Sequence, residues 1–363
     1  MTAAQPGRVL LLQLRRIGDL ALTFPLIRAL EQAGHSVSVM VPRGLERLLA
    51  AVCPQAEALV WEKGALRVPL RQLRRRKWSA ALDLTRTDRG ALFLRLSGAA
   101  RRIAYTEYAR GWRRLACTEH HDLPVSRMHT LDYHLGLAQQ AGLITAAPPP
   151  VPQRPQLSPA TRQLIGGAES WIILHPGTTK EDKYWPVQHW RDLILRLQDR
   201  PERLILTGGR DPAEQAAIEA LLPEIDLLDL SGRLPLEETC ALAANARAVI
   251  SVDTGIMHLA SLWQVPQVAL FGPTNPLQWM PRHARATVLS SGKFRAKGDL
   301  KLKKKQRLAA LGSASEWEPL DSLLPRLEQT QSRTFHTGFE PGTMAELPPE
   351  LVLAALDRVL AAG

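Results

Sequence analysis

"LLLQLRRIGDLALTFPLIRAL", residues 10–30, decides how the rest of the chain is read. An apolar run ends at Leu14, two arginines and Gly18-Asp19 follow, and a second apolar segment begins. A short aliphatic run closed by a Gly-Asp turn reads as a buried strand, and the longer segment after it as a helix. Pro25 sets where that helix starts. Deep inside a helix a proline costs about 3 kcal/mol, through a lost hydrogen bond and a ring clash. With Thr23 as N-cap, Pro25 falls in the first turn and costs little. Arg15–Leu22 is then a loop beyond the carboxyl end of the first strand, the edge at which open α/β sheets bind ligands. Asp19 stands in that loop, as a functional carboxylate or as a plain cap on the turn after Gly18.

The same rhythm continues. Further strands are expected at Ser36–Val41, Ala58–Trp61, Ala80–Leu84 and Arg102–Tyr105, with helices such as Pro25–Ala33 and Gly44–Val52 between them. This is the βαβ alternation of a parallel sheet covered on both faces. A proline-rich stretch, Thr145–Pro159, reads as a stiff linker. After it the alternation restarts, with strands at Trp171–Leu174, Arg203–Leu206, Leu227–Leu230, Ala248–Val252 and Val268–Phe271. Helices are expected at Pro186–Gln198, Pro212–Leu221, Leu236–Ala244 and Gly255–Trp263. The fold class is therefore α/β, with two Rossmann-like domains facing each other across a cleft. Their expected bounds are 1–150 and 160–345. Ser290–Pro341, with its "LKLKKKQRL" run, breaks the pattern as a mobile or partly helical basic insertion, and residues 346–363 form a closing helix.

Bulk properties narrow the function classes. A chain of 363 residues exceeds what one core usually holds. No apolar run could span a bilayer, and the first residues lack the layout of a signal peptide, so cytoplasmic residence is the expectation. Cys53, Cys117 and Cys240 show neither CxxC spacing nor a disulfide framework. A net charge of +11 calls for an anionic partner: nucleic acid, a phosphorylated substrate or an anionic membrane. Nucleic-acid-binding signatures are absent, as are GxxxxGK[ST], HExxH and a GxGxxG after the first strand. His120, His121, His129 and His134 lack metal-ligand spacing and read as surface or helix residues.

Strand ends of the second half carry the chemistry. "ILHPGTTKEDKYWP", residues 173–186, brings Thr178, Thr179, Lys180 and Lys183, donors and charges that suit a phosphate, although a solvated loop would look similar. "VISVDTGIMHLASLW", residues 249–263, runs a buried strand through Asp253-Thr254-Gly255 into a helix whose first N–H groups form an anion site. Gly255 allows close approach, and His258 lies one turn on; as plain structure they are an N-cap and a core histidine. "LTGGRDPAEQ", residues 206–215, offers Asp211 as a hydroxyl acceptor for a ribose, and "ALFGPTNP", residues 269–276, ends the next strand. Together they describe a nucleotide held by the second domain and a base presented by the first.

In order and spacing, "VLLLQLRRIGDLALTFPLIRAL", "LHPGTTKEDKYWP", "SVDTGIMHLA" and "VALFGPTNP" resemble the bacterial lipopolysaccharide heptosyltransferases, glycosyltransferase family 9. The resemblance implies a GT-B fold whose closing helix crosses back to the first domain. It implies inverting transfer of heptose from ADP-heptose to the inner core, without a bound metal or other cofactor. It makes Asp19, beside Gly18, the catalytic base, and gives Lys183 the departing diphosphate. Thr178, Thr179, Asp253, Thr254, Gly255 and His258 become donor contacts, Asp211 the ribose acceptor, and Leu234 a neighbour of the adenine. The implied partners are the nucleotide-sugar donor and a membrane-anchored lipopolysaccharide acceptor, reached by a monomeric enzyme peripheral to the inner face of the inner membrane, with no nucleic acid. Arg71, Arg74, Arg75, Arg76, Lys77, Arg101 and Arg102 would face the anionic acceptor, or form only a solvated helix face. Arg15-Arg16 departs from the smaller residues of many relatives, and the lysine-rich insertion is longer than usual, with membrane contact as one use for it. Other readings are a GT-B transferase with another donor or glycan, a sugar-nucleotide epimerase, and a non-catalytic anion or nucleic-acid binder.

Overall fold

The computed structural model describes residues 5–62, 64, 67–145, 147, 149–222, 225–295, 317–320, 324 and 338–361. The chain divides into two units: residues 1–125 with 130–155, and residues 126–129 with 156–363.

Six parallel strands form the sheet of the first unit: β1 (Arg8–Leu12), β2 (Ser36–Pro42), β3 (Glu57–Trp61), β4 (Ala80–Asp83), β5 (Arg101–Tyr105) and β6 (Glu119–His121). Their order is β3-β2-β1-β4-β5-β6. The second unit repeats it with β7 (Trp171–His175), β8 (Arg203–Leu206), β9 (Leu228–Asp229), β10 (Ala248–Val252), β11 (Gln267–Phe271) and β12 (Ala286–Ser290), ordered β12-β11-β10-β7-β8-β9. Both are the doubly wound order of a dinucleotide-binding fold. The direction of winding reverses between β1 and β4 and between β7 and β10, so the chain has two switch points. Strands buried on both faces explain the unbroken aliphatic runs: Val9–Leu12 and Ala248–Val252 are almost wholly inaccessible. The sequence reading passes over β6 and β12, the outermost strands of their sheets, because β6 is the polar triplet Glu-His-His and β12 is only partly buried.

The turn at residues 10–30 differs from expectation in one respect. Ile17–Ala21 is a short helix rather than loop, followed at once by the helix Phe24–Gln32. Pro25 does sit in the first turn of that second helix. Thr23 occupies the N-cap position without capping, because its backbone is already helical. Its hydroxyl donates to the Asp19 carbonyl at 2.8 Å and accepts from the Gln13 amide at 2.9 Å, tying the short helix to the strand end. Pro159 likewise leaves the expected linker: it opens the helix Pro159–Leu164, capped by Ser158.

The closing helix, Pro349–Ala361, has its buried face in the core of the second unit, whereas the resemblance implied a crossing to the first. Val352, Ala355, Leu356 and Val359 pack with Ile194, Leu197, Val268 and Leu289. Burying each Val or Leu there contributes about 1.5–3 kcal/mol, and Arg196–Glu350 and Arg200–Asp357 pairs border the seam. Within the expected insertion, the described residues form an antiparallel sheet of β13 (Lys293–Arg295), β14 (Trp317–Pro319) and β15 (Gly338–Glu340). Phe294 is buried there against Phe339. Lys301–Lys305 lies outside the described residues. Among the described residues no helix is long and apolar enough to cross a membrane.

Candidate functional site

At the first switch point the connection after β1 carries Asp19, β4 ends at Asp83, and the loop after β4 carries Thr85 and Arg86. Asp19 lies in the first turn of the helix Ile17–Ala21, beside Gly18, with its side chain about one-fifth exposed. Arg15 Nη1 stands 3.9 Å from its Oδ1. The Arg15 Nε donates to the Thr85 carbonyl at 3.0 Å, so one guanidinium bridges the two loops. Burial raises the Asp19 carboxyl above its ordinary value, and Arg15, Arg86 and the Arg16 N–H pull it back. The result is a carboxylate with added affinity for a proton, tempered by the cations around it, as suits a general base.

Arg86 is a site residue that the sequence reading missed. Its φ of 59° puts a non-glycine residue in the left-handed region, which costs of order 1 kcal/mol or more and collects at functional sites. Its guanidinium lies between two rings, 5.0 Å from the centre of Tyr108 and 4.9 Å from that of Tyr133, and its Nε has no hydrogen-bond partner. Asp83 is buried behind it and accepts from the Thr85 hydroxyl at 2.6 Å and the Thr85 N–H at 2.9 Å. A Cβ at Gly90 would lie 2.0 Å from the Thr85 hydroxyl oxygen, so that glycine is required for the helix Asp88–Leu96 to approach. The available signal was "LDLTRTDRG", residues 82–90: a strand running into Asp, Thr and Arg, closed by glycine.

The first-domain cations read as acceptor-facing divide. Arg101 makes a paired contact with Glu119 and also holds the Ala141 carbonyl. Arg102 holds the Ala116 and Ala99 carbonyls, and Arg76 pairs with Glu57. These three brace the unit, while Arg71, Arg74 and Arg75 are exposed. His120 and His121 belong to β6; His134 is buried in the helix Thr130–Gln140 with its pKa pushed down to about 3. His129 is buried too and bonds the Met280 carbonyl within the second unit.

The second switch point joins the loop after β7 to the loop after β10. Lys183 ends a 3-10 turn, Glu181–Lys183, and its ammonium donates to Asp253 Oδ2 at 2.5 Å and to the Asp253 carbonyl at 3.4 Å. The pair is largely buried, with side chains 14% and 9% exposed. Thr254 sits at the N-cap of the helix Gly255–Ser261 without capping it, and its buried hydroxyl has no partner. The first backbone N–H groups of that helix, starting at Gly255, therefore have no side-chain acceptor from Thr254. Burial, with Lys183 adding to it, lowers the His258 pKa to about 4, so the imidazole is neutral at pH 7. Thr178 accepts from the Lys180 N–H, and its carbonyl accepts from the Tyr184 hydroxyl at 2.9 Å, which shapes the segment that carries Thr179.

Asp211 caps its own helix, Pro212–Glu219, by accepting from the Ala213 N–H. The buried acid of that loop is instead Glu214, which accepts from the Gly209 N–H at 2.5 Å. A Cβ at Gly177 would lie 1.7 Å from Glu214 Oε1, and one at Gly209 would lie 2.8 Å from Oε2. Three glycine positions, including Gly208, thus make room for one carboxylate that joins the loops after β7 and β8. Burial raises its pKa. Leu234, half-buried, follows the turn after β9. Among the described residues no group of three or more His, Cys, Asp or Glu could hold a metal ion.

Residues 67–309 match glycosyltransferase family 9 (heptosyltransferase). Lipopolysaccharide heptosyltransferase 1 of Salmonella typhimurium is 39% identical over 105 residues, 29% of this chain and 32% of that protein. The chain thus spans about a third of the length of the first curated relatives it matches. A solved structure of Escherichia coli ADP-heptose lipopolysaccharide heptosyltransferase II superposes with a TM-score of 0.72 at 20% identity, covering 98% of this chain and 99% of that one. Escherichia coli heptosyltransferase WaaC, solved with ADP-2-deoxy-2-fluoro heptose, gives a TM-score of 0.62 at 22% identity, covering 80% and 94%. These likenesses establish a shared fold, two Rossmann-like units with the switch points described above. With the family match extending over more than half its length, the chain belongs to glycosyltransferase family 9, the heptosyltransferases.

Proposed function

We propose that the protein moves heptose from ADP-heptose to the lipopolysaccharide inner core, with inversion at the anomeric carbon. The observation that carries this reading is Asp19, a proton-seeking carboxylate at one switch point of a chain whose other switch point holds a buried lysine beside an uncapped helix start. The donor is taken from the relative solved with an ADP-heptose analogue, and the acceptor from the names of the curated relatives.

An alcohol is a weak nucleophile. Asp19 takes its proton as the oxygen attacks the anomeric carbon on the face opposite the diphosphate. The C–O bond to ADP breaks as the new glycosidic bond forms, and its electron pair leaves with the nucleotide. Lys183 and the Thr254–Gly255 helix start stabilise that developing charge, a role that calls for fixed donors in a water-poor site. Asp253 holds Lys183 in place until the diphosphate competes for the ammonium. Thr178, Thr179 and His258 line the donor path as uncharged groups. The ribose hydroxyls go to the acids that follow β8, Asp211 and Glu214, each of which spends one oxygen on a backbone N–H and keeps the other. Leu234 borders the adenine. No bound metal enters the scheme. The enzyme works as a peripheral protein on the inner face of the inner membrane, where the acceptor is anchored.

The test is nucleotide release by the purified protein from a panel of nucleotide sugars, with and without a heptose-free inner-core acceptor. Acceptor-dependent ADP release from ADP-heptose, well above that from other donors, is the expected result. Equal turnover of an unrelated sugar nucleotide, or none of ADP-heptose, overturns the reading.

A further inference from the structure

The 3-10 turn Gly111–Leu115 presents an apolar surface that no buried core explains. Trp112 is 49% exposed and Leu115 is 75% exposed. The turn packs against the helix Asp88–Leu96, whose Leu92 is 36% exposed. Arg95, Arg110 and Arg114, on or next to the same two elements, are exposed, and so is Arg89, whose guanidinium lies over the Trp61 ring, 4.4 Å from its centre. Asp88, the acid of this helix turn, is tied up by Arg113, whose Nε donates to its Oδ1 at 2.7 Å and holds the carboxyl below its ordinary value. The face offers an aromatic, two leucines and three cations.

Its position in the first unit is specific. In a parallel sheet every strand points its carboxyl end to the same edge. The turn lies on the connection that leaves β5 at that edge, the edge that also carries Asp19. Arg113 shares the walls of one small cavity with Asp83, Arg86, Tyr105 and Tyr108, so the exposed turn is built onto the Arg86 clamp.

We propose that this face is the membrane-docking surface of the first unit, with Trp112 and Leu115 entering the interface of an anionic bilayer and Arg95, Arg110 and Arg114 lying over its headgroups. Tryptophan suits that depth because its large apolar ring carries one N–H that can stay at the wet headgroup level, and arginine supplies the attraction. A protein partner of opposite charge would also meet the arginines, but the exposed leucine beside tryptophan in a ring of one sign matches a lipid surface better. The inference deepens the functional reading in one respect: a first unit that rests on lipid through this face would hold Asp19, carried by the same unit, near a lipid-anchored alcohol.

Flotation of the whole protein with vesicles, without donor or acceptor, tests it. Binding to phosphatidylglycerol vesicles is expected to exceed binding to phosphatidylcholine vesicles by at least about tenfold at low salt, and to fall steeply as salt rises. The double variant Trp112→Ser/Leu115→Ser should lose about tenfold or more of the anionic-vesicle binding. Arg110→Gln/Arg114→Gln should lose a similar amount and flatten the salt dependence. Both pairs are exposed, so melting temperature and turnover of a short soluble acceptor should stay at the parent value. Unchanged flotation of either double variant overturns the proposal, as does a parent protein that dimerises through this face and binds no vesicles. Failure of the transfer reaction leaves the flotation result standing, so the two readings fail separately.

Discussion

The two switch points of this chain share one topology and carry opposite chemistry. Between β1 and β4 the central group is a carboxylate, Asp19, whose burial makes it seek a proton while Arg15 and Arg86 hold it back. Between β7 and β10 the central group is a cation, Lys183, clasped by Asp253 beside a helix start that Thr254 does not cap. The strand order places a site at each point, and the loop residues alone decide what it does. One strained residue marks the first, Arg86 at positive φ. Glycines mark the second, where Gly177, Gly208 and Gly209 make way for Glu214.

The sharpest way to break the comparison is Asp19→Asn. Loss of a general base costs about 10²–10⁴-fold, so transfer should fall in that range while calorimetry shows ADP affinity unchanged. Full activity would remove Asp19 from the mechanism. Next in size is Lys183→Ala, which should lower both ADP affinity and turnover by about 10–100-fold, since a buried charge-assisted contact is lost and Asp253 is left unpaired. A change confined to acceptor affinity would misplace Lys183.

Smaller effects sharpen the picture. Arg86→Gln removes a positive charge that lowers the Asp19 pKa, so the acid limb of the kcat/KM pH profile should move to higher pH. An unmoved limb would assign Arg86 a purely structural role. Glu214→Gln should weaken ADP binding several-fold more than Asp211→Asn, and should reduce the preference for ADP over 2′-deoxy-ADP, because Glu214 is the acid enclosed between the loops after β7 and β8 whereas Asp211 is exposed to water.

The smallest effect concerns stability. A carboxyl whose folded pKa is raised stabilises the fold fully below its unfolded pKa and loses that contribution as pH rises through the folded value. Asp19→Asn should therefore melt higher than the parent protein at pH 7, with the difference closing toward pH 4. A lower melting temperature at pH 7 would mean that contacts of the carboxylate outweigh its burial.

Much of this was legible beforehand because parallel strands are buried on both faces and announce themselves as aliphatic runs. Pro25 located a helix start, and Asp253-Thr254-Gly255 stood where a strand turned into a helix. Arg86 was not legible, since neither its left-handed backbone nor its two stacking tyrosines, 22 and 47 positions further on, leave a local pattern. The choice between Asp211 and Glu214 was equally hidden, because the glycines that enclose Glu214 come from two loops.

By itself the amino-acid sequence determined the α/β class, the doubled βαβ rhythm and the strand ends at which chemistry gathers, because hydrophobic periodicity and turn residues act over a few positions. Tertiary structure decided which acid is buried and which caps a helix, which arginine braces and which stays exposed, and where the closing helix packs. Those outcomes depend on burial and on charges brought together from distant positions, and such terms exist only once the chain has folded.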